Sequence, residues 1–349
     1  MTTNFAPRLL RWFDQHGRHD LPWQHPISPY RVWVSEIMLQ QTQVKTVIPY
    51  FERFMMALPN VQALAAAPID AVLHLWTGLG YYARARNLHK AARQICEDYK
   101  GEFPNGVDAL VQLPGIGRST AGAIVSIAFD QRALILDGNV KRVLARHREI
   151  TGWPGQTVVQ RQLWDIAEHY TPRWRCADYS QAIMDLGATL CSRSQPRCGD
   201  CPVQSDCSAY RHGTQANYPG RKPKKVLPVR QSIMLMALNC EGEIYLEQRP
   251  ANGIWGGLWC FPELDNLTKA SQHCLDLWSL EPEHISLITG FRHTFSHYHL
   301  DIQPLIVRLP ASPRAVMASD RQLWYNREQP PRVGLAAPVA RLLEAAERH

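Results

Sequence analysis

Leu113-Pro-Gly-Ile-Gly-Arg-Ser-Thr-Ala-Gly122 joins two stretches of helical character. Gly115 and Gly117 let the backbone turn tightly and come close to a ligand. A helix beginning near Arg118 then points its free amides at an anion, and a DNA phosphate held without regard to base sequence suits that arrangement. A glycine-rich turn also serves as an ordinary helix–helix connection, so the reading depends on what surrounds it.

Twenty residues after Gly117 comes Asp137, in Leu136-Asp-Gly-Asn-Val-Lys-Arg142. Its position is that of a helix N-cap, where helix amides favour the charged carboxylate and keep it ionised near neutral pH. Upstream, Glu36 is the one acid in Tyr30-Arg-Val-Trp-Val-Ser-Glu-Ile-Met-Leu-Gln-Gln-Thr-Gln43, with Trp33 one turn before it. Apolar surroundings of that kind raise a carboxyl pKa and suit the group to donate a proton. Capping alone explains Asp137 equally well in isolation, and an exposed polar helix face explains Glu36.

Downstream, Cys191, Cys198, Cys201 and Cys207 form C-x6-C-x2-C-x5-C. Short loops bring four thiols to one centre at little entropic cost. Four thiolates suit either a four-iron–four-sulfur cluster or a tetrahedral zinc, and spacing alone leaves the two open. Arg193 and Arg197 lie inside the first cysteine loop, free to meet phosphates or solvent. The cysteines at 96, 176, 240, 260 and 274 are scattered and read as packing residues.

The chain of 349 residues is long for one compact domain, and two are expected. Residues 5–210 read as mostly helical: Tyr30 to Phe54 and Leu79 to Tyr99 carry apolar residues at helical spacing, and Pro22, Pro59, Pro68 and Pro104 punctuate them. Residues 211–230 hold six Lys and Arg, no acid and three prolines, which reads as an exposed basic linker. Beyond it, Ser232–Leu238 and Glu243–Gln248 flank a hairpin turn at 239–242, Ile302–Leu309 is a further strand, and Ala336–Ala346 a closing amphipathic helix. The expected layout is therefore an all-α domain over 1–210 that includes the cysteine loop 191–207, a linker over 211–230, and an α+β domain over 231–349.

Charge follows the same division. Residues 1–230 carry 28 basic against 18 acidic side chains, whereas residues 231–349 carry 10 against 13. A basic front half points to a polyanion such as nucleic acid. No stretch approaches eighteen apolar residues and the N-terminus lacks the layout of a signal peptide, so a soluble, cytoplasmic protein without membrane contact is expected. Nine cysteines in such a chain read as thiols or metal ligands before disulfides.

Together, Val34–Gln43, Trp76-Thr-Gly-Leu-Gly-Tyr-Tyr82, Leu113–Gly122, Asp137–Arg142 and the four cysteines resemble the helix–hairpin–helix DNA glycosylase superfamily, most closely its adenine-removing branch. The resemblance implies a multidomain fold and one 4Fe-4S cluster on Cys191, Cys198, Cys201 and Cys207, in place of zinc. It implies a monomer acting on double-stranded DNA, on adenine opposite 8-oxoguanine or guanine, with the base flipped into a cleft. By the same resemblance Glu36 is the general acid, Asp137 stabilises the sugar cation, and Asn139 orients that aspartate. Tyr81, Gln41 and Leu79 contact or enter the base stack, and the hairpin glycines 115 and 117 hold the backbone. Bifunctional relatives carry a lysine where this chain has Ser119; a hydroxyl forms no Schiff base, so base removal without efficient strand cutting is implied. Lys141, on the DNA side, is near enough to trap abasic product slowly.

The C-terminal domain resembles the Nudix fold, with Gly253-Ile-Trp-Gly-Gly-Leu-Trp-Cys-Phe-Pro-Glu263 as its loop. Gly257 and Glu263 match the Nudix box, but Ser271-Gln-His-Cys-Leu-Asp276 has lost all but its last carboxylate. Magnesium needs several oxygen ligands, so nucleotide hydrolysis is not expected. In the family this domain reads 8-oxoguanine, and Phe295, Ser296 and His297 match its recognition loop. Two rival activities are a pyrimidine glycosylase with lyase activity, which Ser119 opposes, and a catalytically inert iron–sulfur DNA scanner.

Overall fold

A computed structural model describes residues 4–223, 226–313 and 321–345. In chain order its helices are α1 (Phe5–His16), α2 (Pro29–Leu39), α3 (Val44–Ala57), α4 (Val61–Ala66), α5 (Ile69–Leu75), α6 (Ala83–Tyr99), α7 (Val107–Leu110), α8 (Arg118–Phe129), α9 (Gly138–Arg148), α10 (Thr157–Tyr170), α11 (Cys176–Asp185), α12 (Ser208–His212), α13 (Ala270–Trp278) and α14 (Ala337–Ala345). The chain forms two compact units: Met1–Ala66 with Asn87–Lys224, and Ala67–Arg86 with Lys225–His349.

The first unit is helical. Ser28 caps α2 by accepting from the Arg31 amide, and Pro29 follows at the first helical position, where its missing N–H costs nothing. Tyr30–Phe54 is two helices rather than one: the chain breaks over Gln40–Gln43, where Gln41 takes a left-handed φ of 59°. Small residues then let α8 be approached closely. A Cβ on Gly122 would sit 2.0 Å from the Leu134 carbonyl oxygen, so only glycine lets the extended segment leading to Asp137 lie against this helix. Phe5, Leu9, Leu10, Val140, Val143, Leu144, Leu163, Tyr179 and Ile183 are among the side chains that close the core.

The presumed linker begins as part of this unit. Arg146 reaches the carbonyls of Gln215 and Tyr218, the Gly220 amide donates to Gly152, and Lys222 covers the Trp153 ring. Basic and proline-rich composition signals exposure, but it does not report these backbone contacts.

The second unit holds an eight-stranded mixed sheet: β1 (Val229–Leu238), β2 (Ile244–Gln248), β3 (Trp259–Cys260), β4 (Glu263–Leu264), β5 (His284–Leu287), β6 (Phe291–Thr294), β7 (His299–Arg308) and β8 (Gln322–Tyr325). The central path is β3-β2-β1-β7-β5, and β1 runs parallel to β7 from Val229↔His299 to Leu238↔Arg308. The expected hairpin is there, with β1 and β2 antiparallel and the Asn239 side chain accepting from the amides of Glu241 and Glu243. One face of β1 and β7 packs on α13 through Leu235, Ala237, Cys274, Trp278, Leu305 and Val307. The end expected for the closing helix, Ala346, lies outside the described residues.

Residues 67–86 depart from the expected division, because they belong to one compact unit with the C-terminal chain. The helix expected from Leu79 also starts later, at Ala83. Gly78, Gly80 and Tyr81 are all left-handed, which a continuing helix cannot accommodate.

Candidate active site

In the first unit a cleft of about 1110 Å³ is lined by Glu36, Gln41, Ser119, Asp137 and Asn139, so five of the expected site residues meet in one place. Glu36 comes from α2, Ser119 from the first turn of α8, and Asp137 and Asn139 from the start of α9. The Val140 amide donates to Asp137 Oδ1 at 2.7 Å, which makes Asp137 the N-cap read from the sequence. Ser119 is tied to the same place: its Oγ accepts from the Leu136 amide at 2.8 Å, one residue before the aspartate.

Burial pushes the Glu36 carboxyl up to about 8, and the nearby charge of Asp137 adds to the shift. Glu36 opens onto the cleft and is only partly exposed there, so the exposed-face reading fails. The expectation for Asp137 needs correction. Burial raises its pKa, and this outweighs the amides of Val140 and Asn139 and the cations Arg142 and Lys141, which act in the other direction. Capping geometry is legible in sequence, whereas the depth of the cap is not.

Arg142, one turn along α9, donates from Nη2 to Asn139 Oδ1 at 2.8 Å and to the Gly187 carbonyl at 2.7 Å. Its Nε reaches the Cys191 carbonyl at 2.7 Å. Gly187 lies on a π-helical turn, Leu186–Leu190, which is followed by Cys191, the first cysteine of the cluster motif. Gly187 is needed there, since a Cβ would come within 2.6 Å of Asn139 Cβ. Arg146 is almost fully buried and clamps the same loop through the carbonyls of Ser192 and Arg193, with Nη1 3.4 Å from Cys191 Sγ.

Cys191, Cys198, Cys201 and Cys207 all line one small cavity of about 30 Å³. Gln215 Nε2 approaches Cys198 Sγ at 3.8 Å, and burial pushes the Cys201 thiol up to about 12. Among the described residues, no group of three or more His, Cys, Asp or Glu is disposed to hold a single metal ion. Of the cysteines read as packing residues, 176, 260 and 274 are buried, but Cys240 is exposed.

Residues 34–169 match the model of the HhH-GPD superfamily of base excision DNA repair proteins, and residues 233–345 match the NUDIX domain. The chain is 40% identical over 345 residues to the adenine DNA glycosylase of Buchnera aphidicola (subsp. Acyrthosiphon pisum), covering 97% of each chain. The chain belongs to the adenine DNA glycosylase family. The human member is 36% identical over 389 residues, covering 94% of this chain and 71% of that one. A thermostable thymine-DNA glycosylase of known structure covers 60% of this chain and 95% of its own at a TM-score of 0.53 and 27% identity. Endonuclease III in a non-covalent DNA complex shares the fold at 21% identity and a TM-score of 0.50. The protein is thus a base-excision repair glycosylase with a helical HhH-GPD domain and a Nudix-like domain.

The other expected site residues are not among those that line the cleft. Gly115, with a φ of 81°, and Gly117 form the hairpin before α8, and Lys141 on α9 is not among the residues lining the cleft. Leu79, Tyr81, Phe295, Ser296 and His297 belong to the second unit. There the Phe295 amide donates to the Tyr298 carbonyl, closing a tight turn between β6 and β7. Phe295 is half-buried against Trp255, His293 and Tyr298, while Ser296 and His297 are exposed. Among the described residues no helix is long and apolar enough to cross a membrane.

Sequence reading gave no site role to Arg18, Arg142 and Gln181, which line the cleft, whereas Arg193, read as free to meet phosphates or solvent, lines it too. Arg18 is fixed by the fully buried Asp185, which accepts its backbone amide at 2.8 Å and its Nε at 2.9 Å, and Gln181 donates to the same carboxylate. Arg18 and Asp185 are 167 residues apart, and neither sits in a motif that would mark it.

Proposed function

We propose that the protein removes adenine from duplex DNA where it faces 8-oxoguanine or guanine, leaving the strand intact. The observation that carries this reading is the pair of Glu36 and Asp137 on one cleft, with burial and the nearby charge of Asp137 pushing the Glu36 carboxyl up to about 8. Adenine leaves poorly until a ring nitrogen is protonated, and Glu36 supplies that proton. The glycosidic electron pair departs with the base, and positive charge develops on the sugar. Asp137, the acid of the pair that the cap amides and nearby cations favour in its charged form, stabilises that cation in a site shielded from water. Asn139, fixed by Arg142, holds the wall beside it. Water then completes the hydrolysis.

Ser119 supports a monofunctional enzyme. Its oxygen already accepts from the Leu136 amide, and a hydroxyl forms no Schiff base. Lys141 accounts for any slow trapping of abasic product. Gln41, Leu79 and Tyr81 serve as contacts to the base stack, and the amides beyond Gly115 and Gly117 as a phosphate site. Phe295, Ser296 and His297 read the opposing 8-oxoguanine.

The four cysteines support one 4Fe-4S cluster in place of zinc. A single zinc draws four sulfurs to about 2.3 Å from one point, whereas a cluster spreads them around a larger body. Four cysteines that line one cavity supply the thiolate set a cluster needs. The N–H groups of Arg146 and Gln215 aimed at sulfur suit thiolate ligands. When bound, the cluster supplies closure of the 191–207 loop; bond breaking stays with Glu36 and Asp137.

Single-turnover assays on duplexes pairing adenine with 8-oxoguanine, guanine or thymine test the reading. Glu36→Gln and Asp137→Asn each lower base removal by at least about a hundredfold while duplex binding persists. Retention of more than roughly a tenth of the wild-type rate in either variant overturns the assignment.

A further inference from the structure

The segment Ala67–Arg86 belongs to the compact unit of the C-terminal chain, from which it is separated by well over a hundred residues. Several contacts anchor it there. Asp70 Oδ1 accepts from Gln248 at 2.9 Å, and Arg86 donates to the Gly256 carbonyl at 2.7 Å. A Cβ on Gly334 would fall 2.5 Å from Leu73 Cβ, so the two chains touch at their backbones.

At the end of this segment Gly78, Gly80 and Tyr81 take φ values of 91°, 75° and 51°. Tyr81 is a non-glycine residue in a conformation that ordinary side chains disfavour, so its surroundings must hold it there. Its side chain is nevertheless 51% exposed. Arg84 and the Trp76 indole brace the turn by donating to the Gly80 carbonyl, at 3.0 and 3.1 Å. The next residue ties the turn to the distant chain. Tyr82 is buried, its hydroxyl accepts from the Gly78 amide at 3.2 Å, and it donates to the Leu335 carbonyl at 2.9 Å.

We propose that Tyr82 is a positioning residue that fixes Tyr81 for DNA, so that the C-terminal chain at Leu335 sets the geometry of the Tyr81 turn. The Nudix-like unit then acts on base removal as well as on recognition of the opposite base. A turn with three left-handed residues is held at both ends by one phenolic oxygen, and removing that oxygen releases the turn without removing the ring. The inference rests on the reading of Tyr81 as a residue that enters the base stack.

The test compares full-length wild type, Tyr82→Phe, Tyr81→Ala and the double variant in single-turnover excision of adenine opposite 8-oxoguanine. Tyr82→Phe is expected to keep its melting temperature within a few degrees and to lower excision by about fivefold, the equivalent of one net hydrogen bond. In the Tyr81→Ala background the same change is expected to have no further effect, which a merely structural role would not produce. Unchanged excision in Tyr82→Phe, or effects that multiply in the double variant, overturns the proposal. An inert Tyr81→Ala overturns the reading of Tyr81 instead. Hydrogen exchange at the Gly78 amide then decides the anchor: release in Tyr82→Phe supports it, and unchanged protection overturns it.

Discussion

Glu36, already pushed up by burial, is pushed further by the carboxylate of Asp137 on the same cleft, to a pKa of about 8. Both acids are raised by burial, and of the two Glu36 carries the added push of a neighbouring carboxylate.

The shift predicts two pH dependences with a common origin. Single-turnover base removal holds through neutral pH and falls above about pH 8, approaching tenfold per unit as Glu36 loses its proton. Stability is linked to the same group. Between the ordinary carboxyl value of 4.5 and about 8 the folded chain keeps a proton that the unfolded chain has released, so stability is lost as pH rises through that window. Glu36→Gln lacks this loss. Its melting temperature relative to wild type should climb from about pH 5 to about pH 8, and a gap that ignores pH counts against a protonated Glu36.

Arg146 yields a prediction about the metal. It is 3% exposed and donates to the carbonyls of Cys191, Ser192, Arg193, Gln215 and Tyr218. Arg146→Leu strips donors from several buried acceptors, each worth about 1–3 kcal/mol when left unmet. The variant should melt well below wild type and carry less than about half its iron, because closing the loop and holding the cluster are one event. Full iron content at an unchanged melting temperature would show that the loop closes without this arginine.

How much of this was legible beforehand follows the range of each interaction. The cap at Asp137, the hairpin before Arg118 and the β1–β2 turn at Asn239 are local, and each was readable from a few neighbouring residues. The four cysteines were readable because their spacing is short. What escaped depends on distant partners: Arg18 on Asp185, Arg146 on carbonyls beyond residue 190, and Leu73 on Gly334. Helical periodicity was also misleading over 79–82, where apolar and aromatic residues at plausible spacing sit in a left-handed turn.

Ser119 separates base removal from strand cleavage. Wild type should leave an intact strand with an abasic site, broken only by added alkali. Ser119→Lys brings an amine to the cleft and should gain borohydride trapping. The change also deprives the Leu136 amide of its acceptor, at a cost of about 1–3 kcal/mol, so the gain is to be read on protein that still melts cooperatively. Strand cleavage by wild type as fast as base release would end the monofunctional reading.

The turn between β6 and β7 divides its three candidate residues by burial, and the division sharpens the test of 8-oxoguanine recognition. Phe295 stacks on Tyr298 at 4.7 Å between ring centroids and meets Trp255 and His293, so its replacement disturbs the sheet as well as the loop. Ser296 and His297 are exposed, with Ser296 Oγ 3.5 Å from His297 Nδ1, and the His297 ring meets Tyr298 edge-on at 4.8 Å between centroids. Damaged and normal guanine differ by one oxygen and one proton, so a small number of hydrogen bonds must carry the choice. Each is worth about 1 kcal/mol, and two together approach a tenfold to thirtyfold preference. Ser296→Ala with His297→Ala should therefore reduce the preference for 8-oxoguanine over guanine by about tenfold, with a melting temperature within a few degrees of wild type and unchanged removal of adenine opposite guanine. Phe295→Ala should lower the melting temperature too, by about 3 kcal/mol of lost packing or more, and its loss of preference is not interpretable without that control. An unaltered preference in the Ser296 and His297 double variant would assign recognition to a different surface of the protein.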